Sequence, residues 1–125
     1  MSEIDNIDNN NFTGVYREYY DEDKTKIKSE VFMNNGKKEG IYKSYHKNGQ
    51  LDKEINYIDN KRNGIYKEYH ENGQLYEEVN YIDGKRNGIY KSYYYNGKLY
   101  EEINYIDGLR QDIYIIYYKY IQLKK

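Results

Sequence analysis

Residues 64–87 read GIYKEYHENGQLYEEVNYIDGKRN, and most of the remaining chain is made of copies of this stretch. It lies without a gap on residues 40–63 (GIYKSYHKNGQLDKEINYIDNKRN) and on residues 88–111 (GIYKSYYYNGKLYEEINYIDGLRQ). The copies start at residues 40, 64 and 88, an offset of 24 residues each time. Self-similarity at a fixed period in the twenties marks a repeat array, and it governs how every other feature is read.

Upstream, residues 14–39 (GVYREYYDEDKTKIKSEVFMNNGKKE) form a first copy of 26 residues. Its excess falls at Asp21–Lys26, where the other copies have a short Asn-Gly turn. An insertion at a loop tip is tolerated, because closure entropy grows slowly with loop length. Residues 112–125 begin a further partial copy, a candidate capping strand, and residues 1–13 are a polar lead-in rich in Asn and Asp.

Local chemistry makes each copy a β-hairpin. IYKEYH and LYEEVNYI are β-branched and aromatic, with alternating side chains, and two glycine-bearing turns separate the runs. The pairs Asn48-Gly49, Asn72-Gly73 and Asn96-Gly97 suit type I′ turns, while Asp83-Gly84 and Asp107-Gly108 supply the second turn, with Asn60 in the glycine position of the copy before. No stretch carries a 3.6-residue apolar stripe. The expectation is an all-β, single-layer twisted antiparallel meander of about eight to ten short strands.

Strict alternation puts Ile65, Tyr69, Leu75, Val79 and Tyr81 on the better core face, with Ile41, Tyr45, Leu51, Ile55, Tyr57 and Ile89, Tyr93, Leu99, Ile103, Tyr105 as their copies. Tyr66, equally regular with Tyr42, Tyr90 and Tyr114, falls on the other side. Two resolutions stay open: a twist with a bulge brings both tyrosines inward, or both faces are partly covered. A single sheet also has nothing to pack over it, and folded domains need two layers or closure. A homodimer is therefore expected. The apolar end strand 113–121 (IYIIYYKYI) adds an edge that wants pairing.

Composition narrows the function. The 20 Tyr, against 2 Phe and no Trp, provide half-buried rings that keep a hydroxyl for a partner. With 20 basic and 21 acidic residues the net charge is −1, so no global field attracts nucleic acid or membrane. Cysteine is absent, which removes disulfides and thiolate metal sites; residues 1–11 show neither a basic n-region nor an apolar h-region, and no apolar run reaches membrane-spanning length. The expectation is a soluble, intracellular protein; its wealth of Ile, Asn, Lys and Tyr is what an AT-rich genome encodes.

Candidate chemistry is thin. His46 and His70 sit one repeat apart, about two strand spacings or ~10 Å, too far to share an ion. The neighbours Glu77/Glu78 and Glu101/Glu102 point to opposite faces and cannot converge as a catalytic pair. Glu54, Glu78 and Glu102 recur once per copy, as structural acceptors for Tyr hydroxyls or turn amides would. Asp21-Glu22-Asp23 lacks the spacing of a calcium loop. No catalytic residue, metal or cofactor is expected. The basic pairs Lys37-Lys38, Lys61-Arg62 and Lys85-Arg86, with Arg110, should line one turn edge as a stripe diluted by Asp59, Asp83 and Asp107. Such a stripe could meet anionic lipid head groups or, less readily, nucleic acid.

The repeat resembles the MORN family, and more closely its variant repeats in bacterial and viral proteins. The matching residues are Gly40, Tyr42, Tyr45 and Gly49, then Gly64, Tyr66, Tyr69 and Gly73, then Gly88, Tyr90, Tyr93 and Gly97. Each set is followed by Leu-x-x-Glu, at Leu51/Glu54, Leu75/Glu78 and Leu99/Glu102, and Asn80–Gly88 closes the pattern. The chain has tyrosine where the more familiar repeat has tryptophan. The resemblance implies a non-catalytic hairpin scaffold that binds proteins or itself, here through a Tyr-rich face, and some variant-repeat proteins are antitoxin components.

Overall fold

The structure, a computed structural model, describes residues 11–116. It is all β among those residues: eleven strands in one antiparallel sheet. In chain order these are β1 (Gly14–Tyr19), β2 (Ile27–Asn34), β3 (Lys37–Lys38), β4 (Gly40–Tyr45), β5 (Leu51–Ile58), β6 (Lys61–Tyr69), β7 (Leu75–Ile82), β8 (Lys85–Arg86), β9 (Gly88–Tyr93), β10 (Leu99–Ile106) and β11 (Leu109–Ile116). The sheet order is β1-β2-β4-β5-β6-β7-β9-β10-β11, with the short β3 and β8 pairing β2 and β7. Neighbours in sequence are neighbours in space, as an up-and-down meander requires. The lead-in expected over 1–13 lies mostly outside the described residues, as does the part of the end strand beyond Ile116. Phe12 packs on the first repeat beside Tyr16, Val31 and Met33.

The turns hold one correction. At Asn48-Gly49, Asn72-Gly73 and Asn96-Gly97 only the glycine is left-handed (φ 91°, 92° and 92°). A type I′ turn needs both central residues there. These loops are instead type I turns ended by a left-handed glycine, closed by Gly49 N donating to His46 O at 2.9 Å and His46 N to Gln50 O at 2.8 Å. The paired left-handed residues are at the second turn: Asp83 (φ 52°) with Gly84 (φ 86°), and Asp59 (φ 52°) with Asn60 (φ 72°). Asparagine tolerates that region best among residues with a Cβ, which is why the copy lacking Gly keeps the same turn. The long first hairpin tip is held by Asp21, whose carboxylate accepts from the amides of Thr25 at 3.1 Å and Lys26 at 3.0 Å. Those bonds hold the Asp21 carboxyl below its usual range, the Thr25 side chain contributing most.

Register decides the core. Tyr66 pairs across to Ile55 on one side and Val79 on the other. All three are buried, at 7%, 3% and 1% exposure, while Ile65 is 49% exposed. The Ile65-centred core read from alternation is thus half wrong. Val79, Tyr81, Ile55 and Ile103 are buried, but Ile41, Ile65 and Ile89 face solvent and Tyr66 replaces them. The cause is a bulge. Glu68 pairs with Glu77 but Tyr69 pairs with Leu75, so Tyr76 is an extra residue that flips Leu75 to the Tyr69 side. Asp52 and Tyr100 are the extra residues in the flanking copies.

A one-layer sheet buries this row by laying phenol rings over it. Tyr81 meets Tyr66 edge-on at 6.1 Å, Tyr57 meets Tyr42 at 6.4 Å, and Tyr105 meets Tyr90 at 6.4 Å between ring centroids. The buried hydroxyls find carboxylates: Tyr66 donates to Glu68 Oε1 at 2.6 Å and Tyr90 to Glu77 Oε1 at 2.7 Å. Burial, then the adjacent carboxylate, pushes both phenols well above the ordinary tyrosine value.

This packing sets the expected cost of substitutions on each face. Ile55→Ala should cost about 2–5 kcal/mol and the milder Ile55→Val about 0.5–1.5 kcal/mol, whereas Ile65→Ala should cost about 1 kcal/mol or less. Denaturant titrations at sub-micromolar protein measure all three, and equal losses at positions 55 and 65 would refute the face assignment. It also sets the response to alkaline pH. Tyr66 and Tyr90 stay protonated in the fold while the tyrosines of the unfolded chain ionise near pH 10, as model tyrosines do. The unfolded state then binds fewer protons, so stability present below pH 10 falls as pH rises above it. The fall should be shallower in Tyr66→Phe/Tyr90→Phe, read from denaturation midpoints on both sides of pH 10.

Candidate interaction surfaces

Because paired residues share a side, the register sorts the sheet into two faces of parallel rows. On the tyrosine face, one row runs along the second-turn end. Arg62 stacks between Tyr66 (5.2 Å) and Tyr81 (5.3 Å), and Arg86 between Tyr90 (5.0 Å) and Tyr105 (5.1 Å), measured from guanidinium carbon to ring centroid. Arg62 donates to the Tyr81 hydroxyl at 3.2 Å and Arg86 to that of Tyr105 at 2.9 Å. Lys38 takes the same place over Tyr42 and Tyr57. Burial pulls the guanidinium values down, but the hydroxyl oxygens of Tyr57 and Tyr81, accepting from Arg62, and of Tyr81 and Tyr105, accepting from Arg86, outweigh it and leave both raised. Cation and phenol alternate along the array, each saturating the other.

The expected basic stripe therefore divides. Consecutive strand residues face opposite ways, so Arg62 and Arg86 lie on the tyrosine face while Lys61 and Lys85 stand at the exposed edge. There Lys37 pairs with Asp59 at 3.2 Å, Lys61 with Asp83 at 3.5 Å and Lys85 with Asp107 at 3.9 Å, each lysine reaching the next repeat. Those aspartates neutralise the edge.

The family-pattern residues hold the repeat together. Tyr42, Tyr66 and Tyr90 belong to the core row; Gly49, Gly73 and Gly97 close the hairpin tips and Gly40, Gly64 and Gly88 sit where strands bend between repeats, all with positive φ. Tyr45, Tyr69 and Tyr93 pair with Leu51, Leu75 and Leu99 on the second face. The histidines are stitches between copies: His46 Nε2 meets Tyr69 O at 2.9 Å and His70 Nε2 meets Tyr93 O at 3.1 Å. Asn48 and Asn72 do likewise, donating to Glu71 O at 3.0 Å and Tyr95 O at 2.9 Å. Among the described residues no group of three His, Cys, Asp or Glu could hold a metal. On the tyrosine face the hydroxyl acceptors are Glu18, for Tyr16 at 3.2 Å, Glu68 and Glu77; Glu78 and Glu102, expected in that role, lie on the other face, where burial and then their charges raise the Tyr93 phenol.

Glu54, Glu78 and Glu102 have a further place that the sequence reading missed. On the second face the register sets Arg17 beside Glu30, then Lys43, Glu54, Lys67, Glu78, Lys91 and Glu102, one residue from each successive strand. This is an unbroken ladder of alternating sign. The signal was present in the sequence as the Lys of G-I-Y-K and the Glu of Leu-x-x-Glu, but it becomes visible only once hairpin pairing sets them opposite. Beside the ladder lie Val15, Phe32, Ile41, Ile65 and Ile89, and beyond them Ile58, Ile82 and Ile106, all roughly half exposed. Exposed aliphatic surface is thus concentrated on the face opposite the tyrosines.

Comparison with curated proteins and with solved structures returns no match. A family profile described as MORN repeat variant matches three consecutive segments, 38–59, 62–83 and 86–107, together more than half of the chain. Repeats of this kind are generally protein- or membrane-binding scaffolds and a non-catalytic repeat type. With three tandem hairpins of the pattern in one sheet, the chain belongs to the MORN repeat variant family.

Proposed function

We propose that the protein is a non-catalytic scaffold that binds protein, another chain or itself, through the faces of its sheet. The observation that supports this reading is the repetition itself: every hairpin presents the same rows of side chains at the same height. A surface of that kind recognises an extended partner by many similar contacts, as other repeat arrays do. The Tyr-rich face offers rings whose hydroxyls and cations are already partnered within the chain, and the opposite face offers open aliphatic side chains. An antitoxin-type role is the same activity with a toxin as the bound protein. A photoreactive residue placed at Ile65 or at Tyr105 and activated in the producing cell tests the reading. Protein adducts at one of these positions are expected; lipid or nucleic-acid adducts alone would overturn it.

Binding of anionic lipid or nucleic acid through Lys61, Arg62, Lys85 and Arg86 is the second reading, favoured by the exposed lysine at each second turn. Against it, the lysines reach Asp83 and Asp107 and the arginines are stacked under tyrosine rings. Co-sedimentation with phosphatidylserine vesicles at low salt should show no binding that weakens with added salt. Salt-sensitive binding that disappears in Lys61→Glu/Lys85→Glu would instead establish the lipid reading.

A further inference from the structure

We infer that the ladder face is covered by a second copy of this chain, related by a two-fold axis parallel to the strands. This rests on the scaffold reading above and names its partner. The number of rungs is what points to a second copy. Arg17, Glu30, Lys43, Glu54, Lys67, Glu78, Lys91 and Glu102 make an alternating series with an even count. When two copies meet face to face about an axis along the strands, the order of strands in one is reversed over the other. Reversing an even alternating series sets every cation opposite an anion. Glu54 of each copy then lies across from the second copy's Lys67, and Lys43 across from its Glu78; Glu30 meets Lys91 and Arg17 meets Glu102. The face is self-complementary, as an isologous interface must be.

The same series rejects the neighbouring arrangements. A slip of one strand places like charge over like charge at every overlapping rung. A two-fold axis along the ladder superposes each residue on its own copy, again like on like. The intrachain ion pairs within the ladder are at its ends, Arg17 with Glu30 at 3.9 Å and Lys91 with Glu102 at 3.8 Å. The four central residues make no ion pair among the described residues, and they sit nearest the axis, where the roughly 30° tilt between aligned sheets displaces partners least.

The adjoining row completes the fit. Reading across the strands it runs Val15, Phe32, Ile41, Asn56, Ile65, Asn80, Ile89 and Asn104. Under the same axis Ile65 lies over the second copy's Asn56, between its Ile41 and its Ile65, and Ile41 lies over Asn80, between Ile65 and Ile89. Branched side chains enter the gaps above smaller ones, the interdigitation by which two sheets make a common core. Asn56 keeps one internal partner when the row is covered, its Nδ2 donating to Asn63 O at 2.6 Å. The aliphatic row supplies burial and the ladder selects the register.

Sedimentation of wild type, Lys67→Glu, Glu54→Lys and an equimolar mixture of the two variants tests the arrangement, with circular dichroism reporting folding. Wild type should be a dimer at tens of micromolar. Each variant sets two like-charge pairs across the axis and should weaken its homodimer by about 10- to 100-fold. In the mixture the two substituted positions face each other with their charges exchanged, and the native Glu54 of one chain meets the native Lys67 of the other. Opposite charges then meet at both rungs, so the heterodimer should regain wild-type strength. Should a variant fail to fold, Ile65→Asn, exposed and off the ladder, should weaken the dimer without a change of charge. A monomeric wild type, or variant dimers as strong as wild type, would overturn the inference. A monomer that still forms protein adducts from position 65 would overturn it alone; a monomer giving no protein adducts from either position would sink the scaffold reading as well.

Discussion

The structure depends on one pairing repeated down the sheet: a tyrosine set between two aliphatic residues, as Tyr66 is between Ile55 and Val79. A single layer has no second sheet or helix to exclude water from such a row. Here the cover comes from within the layer, by rings of the adjoining row meeting the core rings edge-on and by guanidinium groups stacked on both. Tyrosine suits this position better than phenylalanine would. Its ring spreads apolar area over the row, and its hydroxyl reaches Glu68 or Glu77 at the margin, so the ring is buried without orphaning a polar atom. Arginine serves the same end, because a planar cation lies flat on a ring and still donates from its edge.

Holding each hairpin to the next falls to groups that recur at fixed offsets. Asn63 and Asn87 accept, through their side-chain oxygens, from the amides of Asp83 and Asp107, both at 3.1 Å, and Glu39 does the same for Asp59 at 2.9 Å. Gly84 and Gly108 donate to Arg62 O and Arg86 O, both at 2.8 Å. Residues that read as polar loop are therefore the fasteners between copies. Each hairpin leans on its two neighbours, so stability is shared along the array as in other solenoid-like chains.

Much of this was legible in the sequence, and the failures have identifiable physics. Period, strand positions and turn positions follow from glycine and aromatic spacing, which are local properties. Alternation set Ile65 inside and left the side of Tyr66 open, because it assumes an unbroken ladder; the extra residue at Tyr76 inverts the phase within one hairpin, which is the bulge that the first of the two resolutions required. Turn type failed at Asn72-Gly73 because that dipeptide closes either of two loops, and the preceding residues, with His70 and Gln74 pairing as the loop ends, decide which. Lys61 and Arg62 look alike as a basic pair, yet one is set at the edge and the other beneath a ring by the two-residue period of the strand. The charge ladder was invisible because its rungs lie far apart in sequence and are assembled only by register.

The ladder belongs to a wider pattern in which the polar side chains of the repeat partner one another. Every rung has neighbours of opposite sign, Glu68 and Glu77 hold phenol hydroxyls, the turn aspartates hold lysines, and the histidines hold a carbonyl of the next copy. Among the described residues Ile41, Ile65 and Ile89 stand open in a row, on the face whose ladder charges alternate in sign. Unpaired apolar surface of regular spacing calls for another surface rather than a small molecule, since only an extended partner can cover all of its repeats at once.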